Sequence, residues 1–428
     1  MIQITIITLI CCLLFGVPIA FAIGIAGTAG LYFGSTAPMF MVVKQFFEGI
    51  NSFSYMAIPL FILAGAIMGK GGISKRIVNF ASAILSWLRG GTAITTVGAS
   101  MIFAAVSGSG AATISAIGGI TVPEMLKKGY SRGFTAAMSA GAGSLGPIIP
   151  PSVDMIVFGC ITGFSISRLF IGGIIPGFII GLSLMIYCYI YAKKRNIDYG
   201  GKFRGKVVWA AFKDSIWALL MPIIIIGGVM GGAFTATEAG AVACVYGLIV
   251  SVFVYKSMSF KDLINVLRSA SVNMAMVMMI IGFSSIFSYI FALEGMGQKI
   301  VDFMLSITTS PTGLFFLVIA FMVVIGCFME SLAALPIILP IIYPMFASLG
   351  VNLNQLGVVF ALSTVLGGLT PPVGIYLFLS MNLTGSKMKD TVLPHMLIVI
   401  GIILLVIVLC ILLPIPQFLP DLAFGAAT

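Results

Sequence analysis

Charge is the scarcest property of this sequence. Only 8% of its 428 residues are Asp, Glu, Lys or Arg, while 60% are hydrophobic, and the mean hydropathy is +1.20. Soluble domains carry about 25% charged residues. So few charges cannot keep the surface of a chain this long wet, so its solvent is mostly lipid. Histidine is nearly absent, His395 being the single one. The seven cysteines (Cys11, Cys12, Cys160, Cys188, Cys244, Cys327, Cys410) stand singly or as one adjacent pair inside apolar runs. None has metal-ligand or disulfide-framework spacing, which excludes structural zinc and leaves small buried hydrophobes as their role. The 12 acids form no paired carboxylates and no cluster with histidine. A multipass metalloenzyme and a proton relay of buried Asp, Glu and His both lack their residues. The N-terminus has neither a basic leader nor a cleavage-site pattern, so it is expected to stay as a membrane segment.

What is present is a series of helix-length apolar runs. A span needs about 20 apolar residues, fewer where helices are short or broken. Their length, rather than a ten-residue alternation, points to an α-helical bundle and not a barrel. The net charge of +10 would suit nucleic acid if it were spread over a face. Instead it falls in clusters between apolar runs: Lys70 to Arg89, Lys127 to Arg132, Lys193 to Lys213, Lys256 to Arg268, and Lys387 with Lys389. Only Lys44, Arg168 and Lys299 lie elsewhere. Clusters of this kind mark cytoplasmic loops, so the partner they imply is the bilayer and no nucleic acid is expected.

The longest polar stretch, 193–213, separates two apolar halves, 1–192 and 214–428, and the halves share a motif. Gly146-Pro-Ile-Ile-Pro-Pro-Ser152 in the first is answered 221 positions later by Gly367-Gly-Leu-Thr-Pro-Pro-Val373. Upstream of each lies an interrupted apolar segment, Ser107-Gly-Ser-Gly-Ala-Ala-Thr113 and Gly326-Cys-Phe-Met-Glu-Ser331. One topology accommodates every basic cluster. In it, 2–34 form two short spans turning at Gly16-Val17-Pro18, followed by a span at 52–69, a re-entrant hairpin at about 92–126, and spans at 133–165 and 169–192. The second half runs 214–234, 236–256 and 269–293, a hairpin at about 310–347, then 354–381 and 391–413. An odd number of spans per half makes the repeat inverted, with all basic clusters inside and the three stray residues outside. Segments 73–89 and 259–268 mix basic and apolar residues and read as interfacial helices, as does 36–50 on the other side.

The chemistry is expected at the two breaks. Pro-Pro inside an apolar run removes donors and clashes with the preceding turn. The carbonyls it frees are tolerated at membrane depth only where protein buries them or they line a cavity. Matched breaks in an inverted repeat suit midplane sites, with carbonyls and hydroxyls for a hard cation such as Na⁺ and half-helix N-termini for an anion. One cation site is expected among Ser107, Gly108, Ser109, Gly143, Gly146, Pro147 and Pro150, and a second among Gly326, Met329, Gly367, Thr370 and Pro371. A single such motif could simply kink a helix or allow close packing; the matched pair favours the site. Four acids can reach membrane depth. Glu330, at the presumed hairpin tip, is the foremost candidate for a substrate or coupling role, with a structural hydrogen bond as its alternative. Asp154 could line the cavity, and Ser107 and Ser152, which bracket the first break, could donate to a carboxylate. Glu124 sits beside Lys127 and reads as solvated, and Glu238 reads as a helix cap.

Five segments taken together resemble the large membrane subunit of TRAP (tripartite ATP-independent periplasmic) transporters. They are Ala57-Ile-Pro-Leu-Phe-Ile-Leu-Ala-Gly65, Phe103-Ala-Ala-Val-Ser-Gly-Ser109, Pro147-Ile-Ile-Pro-Pro-Ser152, Thr235-Ala-Thr-Glu-Ala239 and Leu369-Thr-Pro-Pro-Val-Gly374. The resemblance covers nearly the whole chain. It implies an all-α, inverted-repeat, elevator-type importer of organic acids such as sialic acid or C4-dicarboxylates, in the bacterial inner membrane. It also implies Na⁺ as coupling ion, ion sites at the hairpin tips, no other cofactor, a small membrane subunit, and a periplasmic substrate-binding protein that delivers the acid. Such proteins commonly carry aspartate where this chain has Glu330, and Arg168 departs from the family pattern. The two halves account for all 428 residues, so the small subunit is expected as a separate polypeptide. A self-sufficient symporter of the same architecture is the main competing expectation.

Overall fold

Glycine and proline set where several of the helices of this chain begin or end. The computed structural model describes residues 1–327, 329, 331–371, 374–388 and 392–425. Within them every regular element is a helix. Seven helices are long and apolar enough to cross a bilayer.

The first half opens with α1 (Ile2–Leu14) and α2 (Ile19–Gly34), which turn at Gly16, whose φ of +75° a side chain would strain. Helix α3 (Phe40–Ile50) buries none of its residues. Next come α4 (Ala57–Lys70) and the amphipathic α5 (Ile73–Leu85), joined through Gly72 at φ +74°. A hairpin follows, with α6 (Gly91–Ser107) descending, and α7 (Gly110–Thr113), a π-helical turn and α8 (Gly119–Lys127) returning. Helix α9 (Arg132–Gly143) stops short, residues 144–152 are non-helical, and α10 (Val153–Thr162) resumes. Helix α11 (Ile166–Arg195) closes the half.

The second half contains α12 (Gly205–Met230), α13 (Ala236–Ile249) and the 34-residue α14 (Phe260–Leu293). Next are α15 (Met296–Ile307), α16 (Pro311–Gly326) and α17 (Ser331–Ser348). Then α18 (Leu353–Leu369), α19 (Ile375–Thr384), α20 (Val392–Leu412) and α21 (Ile415–Phe424) complete the chain. From α4 and from α14 onward the order is the same: a span, an amphipathic helix, a hairpin, a broken helix, a span.

Two elements differ from the sequence expectation. Segment 259–268 is no separate interfacial helix but the first turns of α14, nucleated by a capping box between Ser259 and Asp262. At about 1.5 Å per residue α14 is roughly 51 Å long, well beyond the ~30 Å hydrocarbon core, so it has room for the basic turns at Lys261 and Arg268 as well as a span. The amphipathic helix that precedes the second hairpin is instead α15, in a stretch between 293 and 310 to which the sequence reading gave no element. It bends by 115° into α16 at Thr308–Ser310, where Ser310 is the N-cap and Pro311 the first helical residue.

Packing places the broken helices at the centre. Residues 133–143 of α9 and 356–369 of α18 are all buried. The outer helices cross between halves: α13 lies along α4, α2 and α3 lie along α14, and α4 and α14 touch each other. Inside, α10 packs on α17, α16 on α18, and α9 on both α19 and α20. Small residues allow this closeness. A Cβ on Gly141 of α9 would stand 2.8 Å from Val399 of α20.

Candidate functional site

In the first half the hairpin tip is forced against the helix break. Gly108 adopts φ +61°, and a Cβ there would lie 2.5 Å from the Pro151 carbonyl oxygen. The Gly108 carbonyl accepts from the Val153 N–H at 3.4 Å. Gly146 meets the tip from the other side, its would-be Cβ 2.5 Å from the Ser109 carbonyl carbon, and a Cβ on Gly143 would sit 3.3 Å from the Gly110 carbonyl oxygen. Ser107 is buried and its Oγ lies 3.0 Å from Thr113 Oγ1, which itself donates to the Ser109 carbonyl at 2.8 Å. Ser107 Oγ also lies 3.4 Å from the Ser109 carbonyl and accepts from the Ser109 N–H at 3.5 Å, so the two hydroxyls and the tip backbone form one small network. Ser152 caps α10, accepting from Met155 N–H at 3.2 Å while donating to the Pro147 carbonyl. Asp198, in the linker between the halves, fastens the base of this hairpin. Its carboxylate accepts from Thr92 N–H at 2.8 Å and from Tyr130 OH at 3.0 Å, and its carbonyl accepts from Gly90 N–H at 2.8 Å. Burial above all, and the neighbouring Asp198 carboxylate, push the Tyr130 phenol above its usual range, so it stays a donor.

The second half repeats the contact with other residues. Gly326 at the end of α16 meets Gly367 of α18 backbone to backbone; a Cβ on Gly367 would lie 2.6 Å from Gly326 Cα. The Cys327 carbonyl accepts from Gly374 N–H at 3.3 Å. Gly374 stands 221 positions after Val153, the donor in the first half. The Cys327 thiol donates toward the Pro371 carbonyl at 3.7 Å, Thr370 Oγ1 donates to Leu366 O at 2.6 Å, and Met329 N–H bonds Ile325 O at 3.0 Å. Glu330, the foremost sequence candidate, lies outside the described residues, as do Phe328, Pro372 and Val373.

The halves also reach across to each other. Asp154, only 3% exposed, is in the first turn of α10, where the helix dipole favours a carboxylate. Its Oδ1 accepts from Ser331 Oγ at 3.0 Å, and its Oδ2 lies 3.2 Å from Thr364 Oγ1, whose single proton is shared with the Ala361 carbonyl at 2.8 Å; both residues belong to the second half. Burying a carboxylate costs several kcal/mol, and a charged hydrogen bond contributes about 1.5–3, so the Ser331 hydroxyl, helped by the shared Thr364 proton, offsets part of the penalty. In return, the Tyr376 ring of α19 covers the first hairpin: a Cβ on Gly110 would lie 2.7 Å from its Cε1. A cavity of about 290 Å³ opens where α10 and α17 face α3 and α14, lined among others by Tyr55, Ser285, Ser288 and Pro336.

Residues 6–415 match the family described as tripartite ATP-independent periplasmic transporter, DctM component. The chain belongs to this family. It is 36% identical over 435 residues to the C4-dicarboxylate TRAP transporter large permease protein DctM of Vibrio cholerae, covering 96% of this chain and 95% of that one. It is 39% identical over 399 residues to the isethionate TRAP transporter permease protein DctMQ of Oleidesulfovibrio alaskensis, covering 92% of this chain but 62% of that longer protein. The sialic acid TRAP transporter permease protein SiaT of Haemophilus influenzae is 33% identical over 412 residues, 95% of this chain and 66% of SiaT. In fold, the chain is similar to the crystal structure of the Alcanivorax borkumensis YdaH transporter, with a TM-score of 0.58 at 13% identity over 87% of this chain and 88% of that one. This DctM-family chain is therefore an all-α, multi-pass protein of the inner membrane and a transporter component, not an enzyme.

Sequence reasoning names the tips and breaks of this DctM-family chain but misses what joins them. Thr364 and Tyr376 carry no motif of their own, and Ser331, though it ends the interrupted segment Gly326–Ser331, was given no role there. Arg168, unexpected in its motif on the resemblance alone, fastens α21. It pairs with Asp421 at 3.4 Å and donates to the Phe424 and Gly425 carbonyls at 3.3 and 2.8 Å. Glu238 caps α13 in a capping box with Thr235, and Glu124 is exposed near the end of α8.

Proposed function

We propose that this chain is the translocating subunit of a sodium-driven importer for a small organic acid. A separate periplasmic binding protein delivers the acid, and a small membrane subunit completes the transporter. The observation that carries the reading is the matched pair of junctions, in which a glycine-opened hairpin tip is held against a Pro-Pro break by the same backbone hydrogen bond, Val153 to Gly108 and Gly374 to Cys327. Backbone carbonyls and hydroxyls packed this closely suit a hard monovalent cation. Ser107 to Ser109 with Gly143, Gly146, Pro147 and Pro150 would hold one Na⁺; Gly326, Met329, Gly367, Thr370 and Pro371 would hold the other. The acid would bind beside the tips, with Glu330 tuning its contact, and its negative charge would be favoured by the N-termini of α10 and α19. The inner bundle of hairpins and broken helices would move as an elevator against the crossed outer helices. Relatives named for C4-dicarboxylates, isethionate and sialic acid support an organic acid as the cargo class.

The test is uptake of a labelled organic-acid panel into proteoliposomes holding this chain with its small subunit, with and without the binding protein and an inward sodium gradient. Uptake that requires both is the expected result and identifies the acid. Sodium-driven uptake without the binding protein would instead make the chain a self-sufficient symporter, and sodium-independent uptake would remove both ion sites.

A further inference from the structure

Two adjacent residues of the first half tie the two junctions together. The Val153 N–H is bound to the tip of the first hairpin through the Gly108 carbonyl. Asp154, the next residue, is bound to both walls of the second junction, to Ser331 on the returning arm of its hairpin and to Thr364 on α18. Thr364 is itself part of that wall, since its carbonyl oxygen lies 3.4 Å from a Cβ built on Gly326. The second half answers in kind: Gly374 N–H holds the second tip, and Tyr376, two residues on, covers Gly110 of the first. Each break thus touches its own hairpin through the backbone and the opposite hairpin through a side chain.

We propose that Asp154 is a positioning residue that couples the two ion sites, so that closing one tip sets the geometry of the other. The physical reason is rigidity. Residues 153 and 154 belong to one turn of helix, so a shift of Gly108 on cation binding displaces the Asp154 carboxylate, and with it Ser331 and Thr364. Close-packed glycine contacts at Gly146 and at Gly326–Gly367 leave no slack to absorb the movement. The cations then bind cooperatively, and the coupling runs through the carboxylate rather than through the cations' mutual charge, which opposes it. This inference rests on the sodium-driven reading above.

The experiment is a sodium titration of uptake by the reconstituted transporter, with the binding protein loaded with the acid the panel identifies. Wild type is expected to show a sigmoidal curve. Asp154→Asn keeps the size of the side chain but removes its charge. It is expected to bring the Hill coefficient close to one and to raise half-saturating sodium about fivefold or more, the lower end of ordinary coupling between sites. The KM for loaded binding protein at saturating sodium should stay in the wild-type range, which general loosening of the site would not leave untouched. Ser331→Ala should move the curve the same way, and Thr364→Ser, which retains the hydroxyl, should keep it sigmoidal. If Asp154→Asn is not recovered folded, Ser331→Ala carries the test alone. A wild-type curve that is hyperbolic in sodium, or variants whose curves stay as sigmoidal as wild type, overturns the coupling while leaving sodium-driven uptake standing. Sodium-independent uptake by wild type overturns the sodium-driven reading and the coupling with it.

Discussion

At the scale of single residues, the hydroxyls of this transporter separate into those committed to the fold and those left for chemistry. Ser152 spends its proton on the Pro147 carbonyl and its lone pair on the cap of α10, so its visible work is to hold the break in shape. Ser107 is different. It shares a hydrogen bond with Thr113 and accepts from the Ser109 N–H, where the tip carbonyls converge. Ser107→Ala is therefore expected to raise half-saturating sodium by about tenfold, or ~1.4 kcal/mol for a lost hydroxyl–cation contact, with little change in expression. A sodium titration identical to wild type would take Ser107 out of the first proposed ion site. Arg168 shows the limit of reading residues singly. It was an anomaly in its motif, and the reason lies more than two hundred residues downstream, in Asp421 and the carbonyls of Phe424 and Gly425.

At the scale of elements, two devices shape the site. Glycine removes the side chain where two backbones must touch, and Pro-Pro denies the helix its continuation. Gly367→Ala tests the first. The added Cβ would stand 2.6 Å from Gly326 Cα, and since both atoms belong to backbone, hairpin and α18 must part. Overpacking of this kind costs about 1–3 kcal/mol, which a bundle this size can survive while the junction itself is opened. Uptake should fall at least tenfold, by the factor that ~1.4 kcal/mol implies, while the purified protein remains monodisperse; uptake at the wild-type rate would mean the close contact is not needed. Breaks of this sort are legible because proline and glycine act locally, whatever surrounds them. Helix α15 is not legible in the same way. Its stretch carries no motif that the sequence reading could use, and what makes it a helix is the apolar side that includes Met304 and packs on α17.

At the scale of the whole molecule, the halves are interleaved rather than side by side. Helix α13 lies along α4, α2 lies along α14, and Asp154 and Tyr376 reach across the centre. Cutting the exposed linker should therefore not divide the protein. A protease site inserted after Gly201 and cleaved in detergent is expected to leave two fragments that elute together on gel filtration; fragments that separate would show that the crossed contacts are weak. The Asp198 contacts to the first hairpin lie before that point and stay on the first fragment.

Composition by itself determined that the chain lives in lipid, because so few charges cannot hydrate a protein of this size. The basic clusters carried the expectation of which loops face inward, and the two Pro-Pro motifs marked where helices should break, since each of these effects acts on the chain locally. Only the tertiary structure decided which hairpin each break faces, that consecutive residues 153 and 154 serve different junctions, and that Arg168 holds α21. Those are contacts between segments far apart in the chain. They depend on which faces the packed helices present to one another, and no local pattern of residues encodes that.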